Sequence, residues 1–212
     1  MEDKQKEIEL LLASTALFMR YGIKSLTMDD ISRNLGISKK TLYQFVSDKK
    51  DLVKKGMKLM IDHEKEMIGT IINNSQNAID ELMGMTKCIS SELGEIHPSV
   101  IFDIQKYYPQ AWKIMEDHKM NFIYETMLAN LKRGLKEGYY RENINPLIIA
   151  NIYMGMVDNM LNPENPVNKT VSMNKLHLEI IRYHIKGIAN EKGMLLLKKT
   201  LKKEENKHLL ID

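Results

Sequence analysis

The sequence predicts an all-α protein, with a small N-terminal three-helix module and a larger helical portion behind it. Three observations carry that expectation. Only 11 Gly and 5 Pro punctuate 212 residues, too few for a strand-and-turn architecture of this length. Hydrophobic residues make up 43% of the chain, and they recur at the three- and four-residue intervals of a half-buried helix. Thr, Ser, Asp or Asn repeatedly stands just ahead of those apolar runs, where a helix start needs a side-chain acceptor for its free N–H groups.

Taken in order, Ile8, Leu11, Leu12, Thr15, Phe18 and Met19 share one face of a first helix that closes at Tyr21 and Gly22. Thr27 then caps a second helix, Asp30 answers it three residues on, and Leu26 staples onto Ile31. That helix is short, because Leu35 and Gly36 end it, and after a single residue Ser38 caps a third helix running from about Lys39 to Val46. Asp48, with Asp51 three residues later, caps a fourth and longer helix reaching towards Ile72. Further helices are expected over about Ala78 to Leu93, Ser99 to Tyr107, and Gln110 to Gly138. After a loop at Gly138 to Asn143, Asn145 and Pro146 open a strongly apolar helix ending near Asn162. A last helix covers about Val171 to Ala189, with Met173, Leu176, Ile180, Tyr183 and Gly187 as its stripe. The tail after Gly193, rich in Lys and Leu, reads equally as a frayed helix or as disorder.

Composition narrows the function classes. The lone Cys88 leaves no internal disulfide framework, and no secretory signal pattern opens the sequence, which points to a reducing cytoplasm. The most apolar stretch, Leu147 to Val157, falls well short of the roughly 20 residues that a membrane span needs. Residues 1 to 60 hold 12 Lys or Arg against 8 Asp or Glu, a net +4, whereas the remainder nets −1. A basic module carried by a near-neutral one makes a polyanion the first partner to consider.

Between Thr27 and Val46, two short helices joined by a one-glycine turn fit a DNA-binding helix-turn-helix. Ile31, Leu35, Ile37 and Leu42 pack the two helices together, and Gly36 supplies a left-handed backbone that a side chain would resist. A helical corner without any ligand is the competing reading. Against it stands the third helix, where Lys39, Lys40, Thr41, Tyr43 and Gln44 all offer hydrogen-bond donors and none is acidic. Lysines and hydroxyls hold phosphates, while Lys or Gln reads purine edges in the major groove. Lys49, Lys50, Lys54 and Lys55 continue the positive strip onto the fourth helix.

Over about residues 5 to 55 the sequence resembles the TetR family of bacterial regulators, through Gly22, Thr27, Ile31, Gly36, Ile37, Ser38, Thr41, Leu42, Tyr43, Lys49 and Leu52. The resemblance implies a homodimer on double-stranded operator DNA, recognition by the third helix, and phosphate contacts from Thr27, Thr41, Tyr43 and Lys49. Together with the donor face, the candidate DNA-binding set is Thr27, Ser38, Lys39, Lys40, Thr41, Tyr43, Gln44 and Lys49. Lys40, Phe45 and Val46 depart from the residues usual there, so base preference does not carry over. The run from Lys136 to Arg141 and the ending Ile185 to Ile188 resemble the family more loosely.

The resemblance also implies two further sites in a ligand-binding and dimerisation portion, residues 56 to 212, behind a DNA-binding portion of residues 1 to 55. Ile148, Ile152, Met156, Met160, Leu176, Ile180, Tyr183 and Gly187 are candidates for a dimer interface. A buried central helix in a monomer would explain the apolar excess equally well. Met60, Met85, Ile89, Phe102, Tyr107, Trp112, Met115, His118, Phe122 and Tyr153 are candidates for the lining of a small-molecule effector site, with ordinary core packing as the alternative. No catalytic residue, metal site or cofactor is expected. His63, His97, His118, His177 and His184 show no ligand spacing, although a helical enzyme or small-molecule binder without DNA affinity is the rival class.

Overall fold

The computed structural model describes residues 2–94 and 96–202. The chain runs through α1 (Glu2–Tyr21), α2 (Met28–Asn34), α3 (Lys39–Phe45), α4 (Lys49–Asn74), α5 (Ala78–Leu93), α6 (Ser99–Tyr107), α7 (Pro109–His118), α8 (Tyr124–Lys136), α9 (Pro146–Leu161), α10 (Met173–Ile188) and α11 (Glu191–Leu201). No strand forms among the described residues beyond one isolated bridge between Tyr140 and Ala189.

Contacts divide the chain into two units, residues 1–65 with 95–119 and residues 66–94 with 120–212. The first therefore takes in α6 and α7 as well as the N-terminal helices. Its core gathers Phe18, Ile23, Ile31, Leu42, Leu52 and Val53 with Val100, Ile104 and Ala111. Ile31 and Leu42 are 0% exposed, and burying side chains of this kind contributes about 1.5–3 kcal/mol each.

In the second unit α5, α8, α9, α10 and α11 pack around Leu82, Leu131, Tyr153, Ile181 and Ile185. A polar network threads this core. The buried Tyr140 hydroxyl donates to Asn130 Oδ1 at 2.7 Å, and Asn130 Nδ2 donates to Ala78 O and Glu81 Oε1, each at 2.9 Å. Arg133 then bonds Glu81 at 2.6 Å and Glu137 at 2.7 Å. Tyr140 fits because residue 134 is glycine, since a Cβ there would run into the Tyr140 ring. The loosely family-like run of residues 136–141 thus closes a buried network against the start of α5.

The structure adds detail to three readings of the sequence. The helix read through Gln110 to Gly138 is interrupted by a π-helical turn, Lys119–Ile123, between α7 and α8. The chain stays helical through this wider turn, which only shifts the phase of the apolar stripe, so the helical pattern runs on across it. On α10 the buried residues are His177, Ile181, His184, Ile185 and Ile188. The stripe named from sequence, which holds the interface candidates Leu176, Ile180, Tyr183 and Gly187, lies beside this face, with Tyr183 74% exposed and Gly187 meeting nothing within 4 Å of where a Cβ would stand. After Gly193 the chain continues as α11, capped by Asn190 Oδ1 on Gly193 N–H at 3.0 Å and burying Leu197 and Leu201. Residues 203–212 of that tail lie outside the described residues.

Candidate nucleic-acid interface

Local chemistry fixes both helices of the helix-turn-helix. Thr27 Oγ1 accepts from Asp30 N–H at 3.2 Å and donates to Asp30 Oδ2 at 2.6 Å, while Thr27 N–H donates to the same carboxylate at 2.9 Å. These bonds, the side-chain one first, hold the Asp30 carboxyl below its ordinary pKa. Gly36 then turns the chain at φ +66°, a left-handed backbone that costs other residues roughly 1–2 kcal/mol. Ser38 Oγ accepts from Thr41 N–H at 3.0 Å and lies 2.7 Å from Thr41 Oγ1, so α3 starts immediately after the turn.

This geometry sorts the eight candidate residues. Thr27, Ser38 and Thr41 spend their hydroxyls on caps and on each other. Lys39 is exposed but meets Asp29 at 3.0 Å, whose carboxylate raises its pKa. Lys40, Tyr43 and Gln44 are exposed on α3, and no hydrogen bond or ion pair involving their side chains is seen among the described residues. They form the open part of the donor face. Lys49 is turned inward: its ammonium donates to Ile23 O at 2.6 Å and to Leu26 O. Burial draws its pKa below that of an ordinary lysine, against the charges of Asp103 and Asp30.

The positive strip expected on α4 is likewise divided. Lys55 donates to Phe45 O at 2.6 Å and to Glu7 at 3.0 Å, whereas Lys50 and Lys54 are exposed. Asp103 escaped the sequence reading altogether. It is 4% exposed, and its carboxylate accepts from Lys24 N–H at 3.0 Å and from Ser99 Oγ at 3.4 Å. No local pattern on α6 announces that role, since it depends on a turn 79 residues away.

The effector candidates do not share one unit. Met60, Phe102, Tyr107, Trp112, Met115 and His118 lie in the first, where Trp112 packs on the core and Tyr107 sits under Lys24. Met85, Ile89, Phe122 and Tyr153 pack in or against the core of the second. The buried His118 Nε2 stands 3.3 Å from Glu64. His177 meets Ser90 Oγ at 3.2 Å, and the His184 ring packs edge-on to Tyr153 at 5.0 Å. No cluster of three or more His, Cys, Asp or Glu suited to a metal occurs among the described residues. None of the described helices is long and apolar enough to cross a membrane.

The interface candidates on α9 and α10 separate by burial. Ile148, Ile152, Tyr183 and Gly187 are exposed, Met156, Leu176 and Ile180 half-buried, and Met160 buried. Tyr183 and Gly187 line an open groove with Glu179, Arg182 and Lys186.

Residues 10–55 match the family described as bacterial regulatory proteins, tetR family. The chain is 25% identical over 181 residues to the HTH-type transcriptional regulator YvaF of Bacillus subtilis, an alignment spanning 84% of this chain and 93% of that protein. It is 22% identical over 143 residues to the HTH-type transcriptional repressor KstR2 of Mycobacterium tuberculosis, covering 64% of this chain and 70% of that one. Among solved structures, a TetR-family regulator from Agrobacterium tumefaciens superposes with a TM-score of 0.68 at 18% identity, over 88% of this chain and 99% of that one.

Proposed function

We propose that this chain, a member of the TetR family of DNA-binding transcription regulators, is a cytoplasmic repressor that a small molecule releases from its operator. The observation that carries the DNA-reading part is the α3 face. Caps close both helices, and Lys40, Tyr43 and Gln44 stand exposed beside Lys39 with no acid among them. Such a face enters a major groove and bonds both phosphates and base edges.

In this reading residues 1–55 form the DNA-binding portion and residues 56–212 the ligand-binding and dimerisation portion. Two copies join through α9 and α10. Leu147, Ile148 and Ile152 on α9 and Tyr183 on α10 are all more than half exposed, and Gly187 leaves room for a partner helix. Each dimer presents two α3 helices about one DNA turn, roughly 34 Å, apart on a near-palindromic site. The effector is bound by side chains drawn from the ten Met, Ile, aromatic and His candidates. It favours an arrangement whose α3 helices no longer fit that spacing, and a coupling of about 1–3 kcal/mol weakens DNA binding roughly 5- to 150-fold. No catalytic step is part of this role.

The test is selection of duplexes from a random pool by the purified protein. A near-palindrome with half-sites one turn apart is expected. On that duplex, the combined variant Lys39→Ala, Lys40→Ala and Tyr43→Phe should bind at least about tenfold more weakly, with a salt slope shallower by about two to four because both subunits lose their lysines. Full affinity with an unchanged slope would falsify the assignment of α3.

A further inference from the structure

Lys49 opens α4, the place where the family resemblance expects a phosphate contact, yet its ammonium points the other way. We infer that Lys49 serves DNA recognition from inside the module, as a positioning residue that fixes the turn between α1 and α2, and does not contact a phosphate. This rests on the reading of α3 as the recognition helix.

The turn needs such a hold. Its own closing bond, from Leu26 N–H to Ile23 O, is long at 3.4 Å, near the limit of a useful hydrogen bond. Lys49 supplies charged donors to the carbonyls of the same two residues, and bonds from a charged donor are roughly twice as strong as neutral ones. From the other side, the Asp103 carboxylate takes the Lys24 N–H, so α4 and α6 grip one short turn between them. Ile23 is 1% exposed, and water is poorly placed to replace the ammonium there. Swinging Lys49 out to a phosphate would strip a buried carbonyl of its charged donor, a change with a desolvation cost.

Thr27, the cap of α2, follows the turn directly, and α2 hands its orientation to α3 across Gly36. The height of the recognition helix is therefore tied to a lysine that stays inside. Lys55 follows the same pattern on Phe45 O. The outward positive charge at the start of α4 falls instead to the exposed Lys50 and Lys54.

The experiment uses the full chain, the duplex it selects from a random pool, and a scrambled duplex of equal length, all well below the melting temperature. For Lys49→Met the expected result is a selected-over-scrambled affinity ratio about tenfold lower, the scale of one mismatched base pair, with an unchanged salt slope. Because each dimer carries two copies of Lys49, a slope shallower by about 1.8 with the ratio intact is the signature of a lost phosphate contact and would overturn the inference. A variant unchanged in both would overturn it too. Should Lys49→Met not fold, Asp103→Asn loosens the same turn without removing any cation. A lowered ratio there supports the inference, and an unchanged one overturns it. A wild-type chain that selects no duplex overturns the reading of α3 itself, and this inference with it.

Discussion

The two units treat hydropathy in opposite ways. In the first, α2 and α3 send Ile31 and Leu42 fully inside and show solvent a face of donors. In the second, α9 leaves Leu147, Ile148 and Ile152 more than half exposed while α10 buries His177 and His184. A helix that faces DNA can keep all its apolar groups for its own core. A helix that also faces another protein surface must leave some of them outside, and exposed apolar patches on such helices mark association sites.

The largest effect that could break this contrast concerns dimer formation. Replacing Ile148→Asp and Ile152→Asp together alters side chains that are 57% and 51% exposed, so the fold should survive. Sedimentation should then show a species near the chain mass of 24.6 kDa. Operator affinity should fall on the order of a thousandfold as two linked half-sites become separate binding events. A variant that stays dimeric would return α9 to the role of an ordinary, partly exposed core helix.

Next in size is the polar network of the second unit. Asn130→Leu takes the amide away from the Tyr140 hydroxyl, Ala78 O and one Glu81 oxygen in a buried setting, leaving Tyr140 only its long 3.5 Å bond to Ala78 O. Destabilisation of about 3 kcal/mol is expected, seen by calorimetry as a melting temperature lower by about 6–12 °C. A change under about 1 kcal/mol would show that water substitutes for the amide.

The smallest effect sharpens the contrast through pH. Burial pushes the His177 and His184 imidazoles down to about 4 from an ordinary value of 6.5. Both are therefore neutral in the folded protein at pH values where the unfolded chain already takes up protons. Stability is complete above about pH 6.5, falls as the pH drops from there towards 4, and levels off below. Each group contributes about 1.4 kcal/mol per pH unit across that window. His184→Phe should remove on the order of 2 kcal/mol of the loss between pH 6.5 and 5 in denaturant titrations. An identical pH dependence in variant and wild type would mean that water reaches the ring.

The helix-turn-helix was legible because its signals are local. Thr27 with Asp30, Gly36, and Ser38 with Thr41 each act within three residues or at one backbone angle, so their spacing is itself the mechanism. The fate of each lysine was not legible. Lys40 and Lys50 are exposed while Lys49 and Lys55 turn inward, and what separates them is a carbonyl brought close by folding rather than any property of a lysine. On α10, a stripe of Leu, Ile and Tyr at helical spacing marks an apolar side, while the chain buries the neighbouring face that carries two histidines. A periodic pattern shows that a helix has an apolar side without showing whether the same chain or another one covers it.

By itself, then, the sequence determined the helical class, the capped starts of α2 and α3 and the donor face of α3, because all of these follow from interactions between near neighbours. Only the tertiary structure decided that α6 and α7 pack with the N-terminal helices, that Asp103 and Lys49 hold one turn from opposite sides, and which face of α10 is buried. Those choices rest on contacts between residues far apart in the chain, whose partners become identifiable once the backbone has brought them within a few ångströms.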